Sequence, residues 1–156
     1  MAKMLILRGK AGPYEWKGVK NWPKGALDEP PALEYATLRG YDGKVLDVAG
    51  YTSDDSEQVK MAMQAINADN SITALYGFSA GGYNIVRIIK RLTAEQKSQM
   101  KLVVVLGAPD VSASAFSGTW ELVYRTDPPV VIKGEKGGHM GGPDALLEEL
   151  KKAKKE

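Results

Sequence analysis

Cysteine is absent from the 156 residues, and histidine occurs once. The first absence excludes disulfides, a thiol nucleophile and cysteine-ligated zinc or iron–sulfur centres; the second excludes a multi-histidine metal site. Neither a metal nor a cofactor is expected. No apolar run reaches the ~18 residues of a membrane-spanning helix. The apolar stretch near the start, Met4 to Leu7, is too short for the core of a secretory signal. The expectation is a cytoplasmic protein with no membrane span. Charge of one sign is also scarce: a net +2 gives no footprint for nucleic acid. The basic run Lys151-Lys152-Ala153-Lys154-Lys155 is expected to finish a helix, where cations suit the dipole.

What is present suits one globular domain over residues 1–156. At 44% apolar and 26% charged the chain resembles neither disordered nor fibrous sequences, and its length matches the roughly 100–200 residues of a domain. Short apolar runs read as strands at Met4 to Leu7, Lys44 to Val48, Ile72 to Tyr76, Leu102 to Leu106 and Trp120 to Tyr124, with a weaker one at Val130 to Lys133. Between them lie helical patterns. Pro31 can open a helix that Gly40 stops. Asp54-x-x-Glu57 and Asp55-x-x-Gln58 each offer a capping box before Val59, Met63 and Ile66. Ile85, Val86, Ile88, Ile89 and Leu92 mark a half-buried helix, Thr93-x-x-Gln96 caps a short one, and Pro143 starts the last. Residues 9–31 and 107–119 read as loops. Strands alternating with helices predict an α/β three-layer sandwich: a mostly parallel sheet of about five strands with helices on both faces.

The chemistry is carried by Gly77-Phe78-Ser79-Ala80-Gly81, a Gly-x-Ser-x-Gly pattern between a β-rich run and an amphipathic helix. Such a corner strains the serine backbone and raises its hydroxyl above the strand end, while the glycines let strand and helix pack closely. A serine hydroxyl needs a base to take its proton. His139, in Gly137-Gly138-His139-Met140-Gly141-Gly142, is the sole imidazole and lies after the last extended segment, where the order Ser, Asp, His puts the base. The acid that orients it is Asp127 or Asp110, each following a strand. Asp127 is favoured, because its strand leads straight to the histidine loop and Pro128 and Pro129 stiffen it. The oxyanion donors are the backbone N–H of Ala80 and that of Gly9 or Lys10, after the first strand.

These residues resemble the cutinase-type branch of the α/β-hydrolases, small lidless serine esterases that include the phage lysin B-like mycolate esterases. The likeness rests on the elbow, on the 12-residue spacing of Asp127 and His139, and on Leu5-Ile6-Leu7-Arg8-Gly9-Lys10, similar to the family's first strand and its oxyanion loop. It implies a minimal α/β-hydrolase with Ser79 as nucleophile, Asp127 as acid, His139 as base, and Lys10 and Ala80 as oxyanion donors. The family usually carries a hydroxyl residue where Lys10 stands and often glutamine where Ala80 stands. The expected activity is hydrolysis of short- to medium-chain acyl esters, a small-molecule substrate. Acyl transfer or thioester cleavage uses the same triad. A non-catalytic binding or scaffold protein on this fold is the competing reading.

Overall fold

A computed structural model describes residues 1–9, 15–16, 19–20, 29–48, 50–127 and 142–155. In chain order they form β1 (Lys3–Leu7), β2 (Glu15–Trp16), β3 (Val19–Lys20), α1 (Glu29–Leu38), β4 (Asp42–Val45), α2 (Glu57–Ala68) and β5 (Ile72–Phe78). Next come α3 (Ala80–Arg91), α4 (Ala94–Gln99), β6 (Leu102–Leu106), β7 (Glu121–Arg125) and α5 (Gly142–Lys154). Five strands make one parallel sheet in the order β4-β1-β5-β6-β7, and β2 pairs antiparallel with β3.

The continuous apolar runs become central strands because both faces of a parallel sheet are covered. Alternate side chains go to opposite layers. Leu5, Leu7, Leu75, Val103 and Val105 pack with Val59, Ala62, Ile85 and Ile88 of α2 and α3. Met4, Ile6, Ala74, Tyr76 and Val104 pack with Ala32, Tyr35 and Ala36 of α1 and with Leu146 and Leu147 of α5. The result is a three-layer α/β fold. Among the described residues no helix is long and apolar enough to cross a membrane.

One difference from expectation is the short β2–β3 pair inside residues 9–31, which read as loop; the others lie at element ends or within 107–119. The first helix begins at Glu29, so Pro30 and Pro31 both fall in its first turn, where no intrahelical donor is needed. Gly40 ends it at φ +86°, a conformation that suits a residue without Cβ. The second sheet strand is Asp42–Val45, two residues earlier than the apolar run suggests. Ser56 caps α2, in place of Asp54 or Asp55: its buried hydroxyl accepts from the Val59 N–H at 3.1 Å. Asp54 pairs instead with Arg87 at 3.1 Å. The Thr93–Gln96 capping box forms as the spacing predicts. Within 107–119 the chain makes one 3₁₀ turn, Ala113–Phe116, and buries Phe116. Trp120 donates its indole N–H to the Phe116 carbonyl at 2.8 Å, and the strand starts only at Glu121. The extended segment expected at Val130 to Lys133 lies outside the described residues.

Candidate active site

Neighbouring strands β1 and β5 send their connections to opposite sides of the sheet, β1 toward β4 and β5 toward β6. At such a switch point a crevice opens beyond the carboxyl ends of the two strands, the usual ligand position in an open α/β sheet. Gly9 follows β1 and Ser79 follows β5, so both stand at its mouth.

Ser79 has φ 55° and ψ −119° and is the sole non-glycine residue with positive φ among those described. A side chain in this mirror-β region costs about 1–3 kcal/mol and persists only where the surroundings impose it. The surroundings here are tight. A methyl on Gly81 would sit 2.2 Å from the Leu7 carbonyl oxygen, and one on Gly77 would sit 2.6 Å from the Gly81 carbonyl oxygen. The Ser79 N–H is bound to the Leu106 carbonyl at 2.8 Å, and the Ser79 carbonyl accepts from Tyr83 N–H at 3.0 Å, the first bond of α3. Although Ser79 occupies the N-cap position, its hydroxyl makes no capping hydrogen bond. α3 therefore does not use this serine as α2 uses Ser56 and α4 uses Thr93. Ala80 opens α3, so its N–H has no acceptor within the helix and lies at the positive end of the helix dipole.

Gly9 lies against the serine: a Cβ there would be 3.3 Å from Ser79 Cβ and 3.9 Å from Oγ. The turn that carries Gly9 is held by a polar cluster. Arg8 is 3% exposed; its guanidinium contacts Glu29, reaches Asp47 Oδ1 at 2.8 Å and donates to the Val48 carbonyl at 3.2 Å. The Arg8 carbonyl accepts from Gln58 Nε2 at 2.9 Å, and Gln58 Oε1 accepts from Asn84 Nδ2 at 2.9 Å. Asn84 Nδ2 also donates to the Tyr51 carbonyl at 2.9 Å. Arg8, Ser56, Gln58 and Asn84 are the buried polar residues of the described chain, and all four gather around this end of the sheet. Buried polar groups are costly unless paired, so their concentration here fixes the loops about the crevice.

The register brings Phe78, Leu106 and Arg125 level across β5, β6 and β7. Phe78 and Arg125 are thus about 10 Å apart across two strand spacings, and Asp127, two residues beyond β7, follows at the same end of the sheet as Ser79. Asp110 lies on the flank of α3, where its Oδ2 accepts from the Tyr83 hydroxyl at 3.1 Å. Burial, reinforced by that carboxylate, raises the Tyr83 phenol above its ordinary value. Lys10 and His139 lie outside the described residues.

Sequence reading alone gave no site role to Asn84 or Tyr83, named Gln58 only as a capping-box residue and Arg8 only as part of the first-strand motif. The available signal was polarity at inward positions: Asn84 falls one turn before Ile88, and Gln58 adjoins Val59. No protein-family model matches the chain, and no curated protein matches its sequence.

Proposed function

We propose that the protein is a serine hydrolase, an esterase of short- to medium-chain acyl esters built like the cutinase-type α/β-hydrolases. The observation that carries this reading is Ser79: a strained residue at a strand-to-helix corner whose hydroxyl does no capping work. A turn needed only for structure would take glycine there at lower cost.

In this reading His139 removes the Ser79 proton as Oγ attacks the acyl carbonyl. The developing oxyanion is held by the Ala80 N–H and by the N–H of Gly9 or Lys10, with the α3 dipole behind it. The protonated imidazole passes its proton to the leaving alcohol, whose bond to the acyl carbon breaks, and the acyl group stays on Oγ. His139 then takes a proton from water, which attacks the acyl carbon; Oγ recovers a proton as the acid departs. Asp127 orients the imidazole. The gap of about 10 Å between the β5 and β7 ends suits a ring hydrogen-bonded on both sides, which supports Asp127 as the acid.

A purely binding role also suits the switch point, since the strand order is shared with doubly wound binding proteins. Labelling by a fluorophosphonate, with p-nitrophenyl ester turnover alongside it, separates the two readings. The hydrolase is labelled and turns over ester, and both are lost in Ser79→Ala. An unlabelled wild type without turnover leaves the binding role. Asp127→Asn against Asp110→Asn tests the acid: loss confined to the second reverses the assignment.

A further inference from the structure

Gln58 sits in the first turn of α2, just after the Ser56 cap, and is fully buried where an amphipathic helix ordinarily places an apolar side chain. Its amide joins two other elements. Nε2 donates to the Arg8 carbonyl at 2.9 Å, just past the end of β1, and Oε1 accepts at 2.9 Å from Nδ2 of Asn84, one turn past Ala80 in α3. Asn84 Nδ2 also donates to the Tyr51 carbonyl at 2.9 Å. Backbone carbonyls can only accept, so the order is fixed: Gln58 turns its nitrogen toward β1 and its oxygen toward α3. Gly50 is wedged among these groups. A Cβ there would lie 2.7 Å from the Arg8 carbonyl oxygen, 3.0 Å from Ala80 Cβ and 3.1 Å from Gln58 Oε1. The Gly50 N–H donates to the Gly9 carbonyl at 3.3 Å, so the carbonyls of Arg8 and Gly9 are both anchored.

We infer that Gln58 is a positioning residue for the reaction at Ser79: through Asn84 on one side and the Arg8 carbonyl on the other, it sets the spacing between the Gly9 turn and Ala80, the two sides of the oxyanion site. The inference rests on the esterase reading for its reaction, and it adds to that site a helix, α2, that supplies no reacting group. A peptide unit is planar, so an anchored Arg8 carbonyl fixes the plane in which Gly9 begins. Asn84 follows Ala80 by one turn of the same helix, so a bond to Asn84 fixes the start of α3. An oxyanion exists only in the transition state. A displaced donor therefore lowers kcat and leaves KM nearly unchanged, and a misplacement of about 1 Å costs on the order of 100-fold.

The test measures p-nitrophenyl butyrate hydrolysis by the wild type, Gln58→Leu and Ile66→Ala, each well below its unfolding midpoint. Gln58→Leu keeps the bulk and removes the amide; kcat should fall about 10- to 100-fold with KM within about twofold of wild type. Ile66 is buried on the same helix, eight residues or about 12 Å further along. Its truncation costs at least as much stability, yet should leave kcat within about twofold, which a merely structural role for Gln58 would not allow. Asn84→Ala breaks the tie from the other end and should show the same loss confined to kcat, so it carries the test if Gln58→Leu does not fold. In the double variant the two losses should not multiply, because both amides act through one chain of bonds. Amide signals in ¹⁵N spectra read the same tie without turnover: those of Gly9 and Ala80 should move in Gln58→Leu and hold in Ile66→Ala. Displaced signals in a protein without turnover sink the esterase reading and leave Gln58 as the tie between the two loops. Turnover with kcat unchanged in Gln58→Leu, a loss carried by KM alone, or an equal loss in Ile66→Ala overturns the positioning role and leaves the esterase. Unmoved signals at Gly9 and Ala80 also overturn it.

Discussion

Replacing Ser79 by glycine should make the protein more stable, and by an amount the backbone geometry sets. At φ 55° and ψ −119° any residue with a Cβ carries a strain of about 1–3 kcal/mol that glycine does not. Against this, glycine frees the unfolded chain and gives back about 0.4–1 kcal/mol. The net is a gain of about 0.5–2 kcal/mol. For a chain of 156 residues, at about 2–4 °C per kcal/mol, that is a rise in Tm of several degrees. Alanine is the control, because it removes the same hydroxyl and keeps the Cβ. Ser79→Ala is expected within about 0.5 kcal/mol of wild type. The assay is urea unfolding of the three proteins side by side, with m-values compared to exclude a change in the unfolded ensemble. If Ser79→Gly is no more stable than Ser79→Ala, the strain argument fails, and with it the reason to regard the serine as retained for chemistry.

The remaining expectations concern the packing around that corner and two titrations. Gly81→Ala drives a methyl into the Leu7 carbonyl at 2.2 Å and should destabilise by at least about 3 kcal/mol, because neither backbone can retreat without parting α3 from β1. Gly82→Ala meets nothing nearer than 3.3 Å and should be nearly neutral in the same denaturation experiment. Gln58→Leu strips the Arg8 carbonyl of its side-chain donor and Asn84 Nδ2 of one of its two acceptors in a buried place, for a loss of about 2–3 kcal/mol. An unchanged midpoint would mean that the cluster does not hold the Gly9 turn. Asp69 is held well below the ordinary carboxylate range by its hydrogen bond from Lys3, then by those from Ser71. Its contribution is therefore complete above the unfolded pKa and lost as the pH falls through the folded value, so the stability gap between wild type and Asp69→Asn should close on acidification. A gap that does not depend on pH would contradict this. In ultraviolet titration, Tyr83 should ionise above the ordinary tyrosine range, and Asp110→Asn should bring it down without abolishing the part due to burial.

Much of the fold was legible because its cause is local. Valine at 103, 104 and 105 is buried on both faces of any sheet that contains it, and such a run specifies a central parallel strand before any neighbour is known. Gly40 and the Thr93–Gln96 pair signal helix ends through their own backbone needs. The ends that shifted were those decided by distant groups. Asp54 could cap a helix in isolation, yet Arg87 from α3 claims its carboxylate and Ser56 takes the cap.

The candidate site divides the same way. Sequence by itself determined that a serine stands between a strand and a helix, flanked by glycines, in a chain with one imidazole, because spacing and residue type fix what a turn can be and what bases exist. Tertiary structure alone decided that Gly9, 70 positions earlier in the chain, touches that serine, that Asp110 belongs to Tyr83, and that Arg8, Gln58 and Asn84 lock the loops around it. Those contacts come from strand order and register, which join residues remote in the chain and leave no periodic trace in it.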